Sequence, residues 1–126
     1  MHVTELAKAL ADGQRVRVLN LLAEGPLCVC HLMAILDADQ VKVSKQLGYL
    51  KRLGLVTASR NAQWMVYRLA DPQDPLIRAT VGCLREHPET ADGLPLAEDL
   101  EERLRLLTEL AEDDDAPADL ARTLCC

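Results

Sequence analysis

Apolar residues recur at helical spacing near the start of the chain. The first set follows the i, i+3, i+4, i+7 pattern of an amphipathic helix and comprises Val3, Leu6, Ala7 and Leu10. A second helix is expected to begin after Asp12, whose carboxylate suits an N-cap, with Val16, Leu19 and Leu22 on one face. Gly25 and Pro26 end it, because glycine lets the backbone leave the helix and proline cannot continue one.

Two further helices are predicted on either side of a polar turn. The third covers about Cys28 to Leu36, the turn is Asp37-Ala38-Asp39, and the fourth runs from about Gln40 to Leu53 before Gly54. The inward face of the fourth helix is expected to consist of Val43, Leu47, Leu50 and Leu53. Two short helices joined by a tight turn are typical of a helix-turn-helix unit.

A β-hairpin is predicted after this unit. Leu55–Ser59 and Trp64–Leu69 are β-prone runs, and Arg60–Gln63 forms the polar turn between them. A fifth helix is expected from about Asp74 to Glu86, and an apolar stripe marks a sixth at Leu96, Leu100, Leu104, Leu107 and Ala111. The pattern predicts a mainly α fold with a small β-hairpin, in the order of a winged helix-turn-helix.

Length and composition suit one intracellular domain. The chain has 126 residues and no Phe, so a modest and largely aliphatic core is expected. No stretch approaches the roughly 20 consecutive apolar residues of a membrane span, and residues 1–5 lack the basic and apolar blocks of a signal peptide. We therefore expect a cytoplasmic protein with no membrane partner.

Charge is distributed unevenly along the chain. The net charge is −6, yet residues 1–72 carry nine Lys/Arg against six Asp/Glu, or +3, and residues 73–126 carry five against fourteen, or −9. Because phosphate contacts depend on the local patch, the first half is the half expected to meet double-stranded DNA. The outward side chains of the fourth helix and the hairpin tip are the predicted DNA contacts: Gln40, Lys42, Ser44, Lys45, Gln46, Tyr49 and Arg60.

Five cysteines carry the remaining chemistry: Cys28, Cys30, Cys83, Cys125 and Cys126. The odd count and the tight spacings fit metal-binding or redox-reactive thiols better than a disulfide framework. Thiolates select soft, thiophilic ions over Mg²⁺ or Ca²⁺. An enzyme is not expected, because the sequence lacks Cys-x-x-Cys, a phosphate-cradling Gly-rich loop and a strand–helix alternation.

These motifs together resemble the ArsR/SmtB family of metal-responsive repressors over the run from Lys8 to Leu69. Ala9-Leu10-Ala11-Asp12, with Arg15, Arg17 and Leu19 after it, resembles the family's first two helices, and Leu27-Cys28-Val29-Cys30-His31-Leu32 resembles its metal-binding box, usually written ELCVCDL. Val43–Leu47 and Leu50–Val56 resemble its recognition helix through to the start of the wing, and Trp64–Leu69 resembles its second wing strand. Three positions depart from the pattern: Pro26, His31, and Ala62 where a wing-tip glycine is common, so that Asn61 is expected to take any left-handed backbone.

The resemblance implies a homodimer built on the first and fifth helices and bound to an inverted-repeat operator. Half-sites would then lie about one helical turn, roughly 34 Å, apart. On this basis residues 1–91 are expected to form the winged helix-turn-helix DNA-binding and dimerisation domain. Residues 92–126 are expected to form a C-terminal amphipathic helix and a cysteine-bearing tail.

Cys28 and Cys30 are the expected sensing pair. Residues i and i+2 of a regular helix do not face each other, so the two sulfurs are expected to point apart. Binding of one ion would then open the first turn of the third helix and displace the fourth. In arsenic-responsive relatives a third thiol comes three residues after the second, but Met33 holds that position, so Cys125 or Cys126 is the expected third donor to As(III) or Sb(III).

Other interpretations of the thiols and acidic groups stay open. His31 would give a site of two cysteines and one histidine for Cd(II) or Zn(II). His87 and Glu89 offer a weaker site near the fifth helix, and Cys83 is expected to pack at the dimer interface. A thiol redox switch is a further alternative, as is a protein-interaction role for the helix from Leu96 to Ala111.

Overall fold

The computed structural model describes residues 2–91 and 93–110, a mainly helical chain with one small sheet. Within these residues the elements are α1 (Val3–Leu10), α2 (Gly13–Leu22), β1 (Leu27–Cys28), α3 (Val29–Leu36), α4 (Gln40–Arg52), β2 (Val56–Asn61), β3 (Trp64–Leu69), α5 (Pro75–Glu86), a 3-10 helix (Pro88–Ala91) and α6 (Leu96–Leu110). None of the helices described is long and apolar enough to cross a membrane.

Aspartate side chains fix where three of the helices begin. Asp12 accepts hydrogen bonds from the backbone N–H of Gln14 and Arg15 at the start of α2. Asp39 and Asp74 cap α4 and α5 in the same way. Each satisfies amides that have no partner inside the helix, and the predicted starts of these helices are confirmed.

The sheet has three antiparallel strands in the order β1-β3-β2. The predicted hairpin is confirmed, but its turn is shorter than expected, because Asn61 pairs with Trp64 and only Ala62 and Gln63 lie between the strands. The left-handed residue is Ala62, with φ of 56°, and not Asn61. The pairing of β1 with β3 was not predicted, since two residues are too few to show a strand period.

An aliphatic core lies beneath α1 to α5 and the inner face of the sheet. Its largest fully buried side chains lie between α2 and β3 and include Leu21, Leu27, Leu32, Leu47, Leu50, Leu55 and Val66. α3 packs against α4, and α4 packs against β2. Two helices joined by the short turn before Gln40 and followed by the β2–β3 hairpin form the winged helix-turn-helix predicted from the sequence.

α6 packs against α2 and α3, and the predicted apolar stripe is wrong at Leu104, while its last member, Ala111, lies outside the described residues. Leu104 is 62% exposed, whereas Asp99 and Arg103 are buried. The reason is an ion pair across the helices: the Arg17 guanidinium donates through Nε and Nη2 to both carboxylate oxygens of Asp99, each at 2.8 Å. Asp92 lies outside the described residues, so the domain boundary there stays a prediction.

Candidate metal site and nucleic-acid interface

Cys28 and Cys30 converge at the junction between β1 and α3. Cys28 is the last residue of β1 and has an extended backbone, with φ of −92° and ψ of 166°, while Cys30 lies in the first turn of α3. Their Sγ atoms are 3.1 Å apart. The expectation that these sulfurs point apart is wrong, because Cys28 precedes the helix and does not belong to it.

His31 brings an imidazole nitrogen to the same place. Its Nδ1 lies 3.3 Å from Sγ of Cys28, and the donor atoms of Cys28, Cys30 and His31 all lie within 4.8 Å of one another. Burial lowers the pKa of His31 to about 4, and the positive charge of Arg103 on α6 acts in the same direction. A neutral imidazole is the form that binds metals.

The chemistry of this donor set fits a thiophilic ion. Two sulfurs and one nitrogen are soft or borderline ligands, and the first turn of a helix favours negative charge, as on a thiolate. A tetrahedral Zn²⁺ with Zn–S bonds of about 2.3 Å holds its sulfurs about 3.8 Å apart. The sulfurs therefore need to separate by only a fraction of an ångström, and α3 need not unwind for both to reach one ion.

A cavity of about 400 Å³ opens beside the two cysteines. Its lining comes from β1, from α3, from the start of α4 and from the wing, and comprises Cys28, Val29, Cys30, Met33, Gln40, Gln63, Trp64 and Met65. The thiol site thus borders both elements that carry predicted DNA contacts. Met33, at the position of the family's third thiol, is part of the same wall.

The other predicted ligands lie elsewhere. Cys125 and Cys126 fall outside the described residues, so their part in the site stays a prediction. Cys83 is exposed on α5, and its burial in a dimer is likewise untested. His87 and Glu89 form an exposed pair at 3.3 Å, and within the described part of the chain the one group of three donors is Cys28, Cys30 and His31.

The predicted DNA-contact residues fall into two groups. Gln40, Lys42, Ser44 and Lys45 are exposed along α4, and Arg60 is exposed in β2 opposite Met65, one residue pair before the hairpin closes. Gln46 and Tyr49 are only half-exposed. Both are held by Arg15 of α2, which donates from Nη1 to Oε1 of Gln46 at 3.2 Å and lies 4.2 Å from the centroid of the Tyr49 ring.

Three features of these sites were not predicted from the sequence: two exposed cations at the end of α4, a buried arginine near His31, and an arginine that links α2 to α3 and α6. Lys51 and Arg52 are exposed at the end of α4, next to the predicted contacts, and their charge was the available signal. Arg103 is buried beside His31, and Arg17 donates both to Asp99 and to the carbonyl of Ile35 in α3. Asp99 and Arg103 are four residues apart and therefore lie on the same face of α6. Two opposite charges at this spacing among apolar residues were the available sign of a buried polar face.

Comparison with known proteins places this geometry among transcriptional regulators. Residues 12–58 match the model of a family described as bacterial regulatory protein, arsR family. The arsenic resistance transcriptional regulator ArsR1 of Pseudomonas putida is 40% identical over 96 residues, which cover 72% of this chain and 74% of that protein. The arsenical resistance operon repressor of Escherichia coli is 42% identical over 67 residues, 52% of this chain and 57% of that repressor.

A solved structure is similar over the same region. The homodimeric winged helix-turn-helix DNA-binding domain of a possible ArsR-family regulator from Mycobacterium bovis aligns with a TM-score of 0.60 and 32% identity. The alignment covers 70% of this chain and 82% of that domain. These relatives are regulators and not enzymes, which confirms the expectation for this chain.

Proposed function

This chain belongs to the ArsR family of bacterial transcriptional regulators, and we propose that it is an operator-binding repressor released by As(III) or Sb(III) at Cys28 and Cys30. The single observation that carries the proposal is the convergence of the two sulfurs, 3.1 Å apart, at the start of the helix that packs against α4. The similarity to an arsenic resistance transcriptional regulator and to an arsenical resistance operon repressor supports it.

Repression requires α4 to enter a major groove, and its exposed side chains suit that task. Gln40 and Ser44 offer hydrogen bonds to base edges, and Lys42 and Lys45 offer positive charge to phosphates or guanine. Arg60 on the wing reaches the backbone or the adjacent minor groove. A homodimer, as in the Mycobacterium bovis relative, would present two such helices to an inverted repeat.

Release depends on where the thiols lie. Cys28 belongs to a strand that pairs with β3 of the wing, while Cys30 belongs to α3, which packs on α4. Binding of both sulfurs to one ligand links the wing sheet to α3 and changes the spacing between them. The ligand thereby shifts the equilibrium between the DNA-binding conformation and one that does not bind DNA. Couplings of this kind are typically about 1–3 kcal/mol, or about 5- to 150-fold in DNA affinity.

As(III) and Sb(III) favour a third sulfur, and we propose that Cys125 or Cys126 supplies it. Met33 lines the cavity beside the pair, but a thioether carries no charge and is a poorer donor than a thiolate. The C-terminal thiols of either subunit are the candidates, and this part of the proposal depends on residues beyond Leu110.

A second candidate inducer, Cd(II) or Zn(II), is favoured by one observation. His31 is buried and places Nδ1 3.3 Å from Sγ of Cys28, so two thiolates and a neutral imidazole surround one point. Three such ligands and one open position are a common arrangement for Zn²⁺.

Titration of operator-bound protein tests both candidates. As(III), Sb(III), Cd(II) and Zn(II) would be added to the chain on labelled operator DNA, and fluorescence anisotropy would report release. Cys28→Ser and Cys30→Ser should lose As(III)-dependent release, while Cys83→Ser, a cysteine on the exposed face of α5, should respond as the wild type does. A Cys28→Ser variant with the wild-type dose response would exclude this site, and a response to Cd(II) or Zn(II) alone would select the second candidate.

A further inference from the structure

We propose that Arg15 is a positioning residue for DNA recognition: it ties the end of α1 to α4 and holds the base-reading face in place without touching DNA. The inference rests on the proposed operator binding. It adds a role for a residue of α2 that lies outside both the recognition helix and the wing.

Each of the three guanidinium nitrogens of Arg15 donates a hydrogen bond to an acceptor within the protein. Nε donates to the carbonyl of Ala9 and Nη2 to the carbonyl of Lys8, both at 3.1 Å. Both carbonyls lie in the last turn of α1, where backbone acceptors have few partners within the helix. The carbonyl of Lys8 also accepts from the N–H of Ala11, at 3.4 Å. Nη1 donates to Oε1 of Gln46 on α4 at 3.2 Å, so one planar group joins two helices.

Asp12 and Tyr49 complete the arrangement. Oδ2 of Asp12 lies 3.7 Å from Nη1 of Arg15 and accepts from Nε2 of Gln46 at 3.5 Å. This fixes which way the Gln46 amide faces. The Tyr49 ring lies against the guanidinium, 4.2 Å from centroid to carbon, which is within cation–π range. The Arg15 side chain is only 15% exposed as a result.

These contacts have two consequences for DNA recognition. A guanidinium committed to three acceptors on its own chain does not serve a phosphate. The oxygen of Gln46 is also occupied, so base reading falls to the exposed Gln40, Lys42, Ser44 and Lys45. The position of α4 relative to α1 depends on the planar fork, which lysine cannot reproduce although it keeps the charge.

Operator affinity measured against salt concentration separates positioning from direct contact. Arg15→Lys and Arg15→Met should both lose about tenfold or more in operator affinity, because each removes intramolecular hydrogen bonds of a charged group, with the salt slope of the wild type unchanged. The matched control is Lys45→Met, an exposed cation whose loss should reduce the slope by about 0.9. An Arg15→Lys variant with wild-type affinity, beside an Arg15→Met variant with a reduced slope, would show a phosphate contact and overturn the proposal.

A double-mutant cycle covers the case in which Arg15→Met folds poorly. Arg15→Lys and Gln46→Met should be non-additive, because each removes the same link, and additive losses would contradict the proposal. Hydrogen exchange adds a readout that needs no DNA: Arg15→Lys should lower amide protection in α4 relative to α5, and equal protection would overturn the inference. A wild-type chain that binds no operator would refute the proposed function alone.

Discussion

The backbone of Cys28 decides the geometry of the thiol site. A cysteine one step before a helix can turn its side chain towards the first helical turn, and Sγ of Cys28 lies 3.1 Å from that of Cys30 for this reason. Spacing along the sequence identified the pair but placed Cys28 inside the helix. Only the pairing of Leu27 and Cys28 with β3 shows that the helix begins later.

His31 is the residue that should separate the two classes of inducer. His31→Asn removes the nitrogen donor 3.3 Å from Cys28 and should weaken Cd(II) and Zn(II) binding by about tenfold or more. As(III) affinity should change little, because a thiophilic metalloid relies on sulfur. Competition with a chromophoric chelator measures the affinity for the divalent ions. Equal losses of affinity for As(III) and Cd(II) would contradict the assignment of His31 as a ligand for divalent ions only.

Ala62 sits at a backbone position better suited to glycine. Its φ of 56° is left-handed, which costs an alanine about 1 kcal/mol. Ala62→Gly should therefore raise the free energy of unfolding by about 0.5–1 kcal/mol, measured by urea denaturation. Ala58→Gly, in the regular part of β2, is the control and should destabilise, since glycine gains nothing at an ordinary strand position. Destabilisation by both would mean that the turn is not strained.

At the scale of elements, α6 is anchored by charge inside the fold. Arg17 and Asp99 form a two-point ion pair with side chains 15% and 4% exposed, and the hydrogen bond to Asp99 raises the pKa of Arg17. Arg17 also reaches Ile35 of α3. α6 is thus connected to the helix that carries Cys30.

Breaking this pair should cost far more than breaking one at the surface. Asp99→Asn leaves the half-buried guanidinium of Arg17 without its counterion and should lower the free energy of unfolding by about 1.5–3 kcal/mol. Glu102→Gln, which removes one of the two carboxylates paired with Arg105 on the outer face of α6, should change the free energy of unfolding little, because surface ion pairs stabilise weakly. Chemical denaturation measures the free energy of unfolding of both variants. Small and comparable losses of stability in the two would contradict a structural role for the Arg17–Asp99 pair.

Most elements were predictable because their signals are local. Capping aspartates, the helical spacing of leucines and the two β-prone runs located α1 to α5 and the hairpin within a few residues. β1 and the inner face of α6 were not predictable, because each depends on a partner distant in sequence. β1 depends on its pairing with β3, and the inner face of α6 depends on the ion pair between Asp99 and Arg17. The spacing of apolar residues alone predicted that Leu104 faces the core. In the structure the ion pair of Asp99 faces the core, and the side of α6 that carries Leu104 faces solvent.

For the whole molecule, the uneven distribution of charge indicates which half of the chain is suited to contact DNA. The exposed lysines and arginines that we propose face DNA lie on α4 and the wing, while residues 73–126 carry a net −9. The C-terminal half is therefore expected to lie away from the phosphates. Cys125 and Cys126 lie in this half, so the tail of the same subunit or of its partner has to reach the thiol site if either cysteine is the third donor.

Removing the tail tests whether it does. A chain ending at Leu110 keeps α6 and its ion pair but lacks both C-terminal cysteines. It should bind operator with unchanged affinity and lose about tenfold or more in As(III) affinity, because one of three sulfur donors is gone. Cys125→Ser with Cys126→Ser is the matched full-length variant. Wild-type As(III) affinity in both would show that the third donor lies elsewhere.

We propose that ligand binding at Cys28 and Cys30 and operator binding oppose each other, and the reciprocity of the two affinities tests this most directly. Trp64, the sole tryptophan of the chain, lines the cavity beside the pair, and its fluorescence reports As(III) binding to the free and the operator-bound protein. Linkage requires As(III) affinity to fall on DNA by the same factor, about 5- to 150-fold, by which As(III) lowers DNA affinity. Equal As(III) affinity on and off the operator, or a Trp64 response that survives Cys28→Ser with Cys30→Ser, would contradict the account.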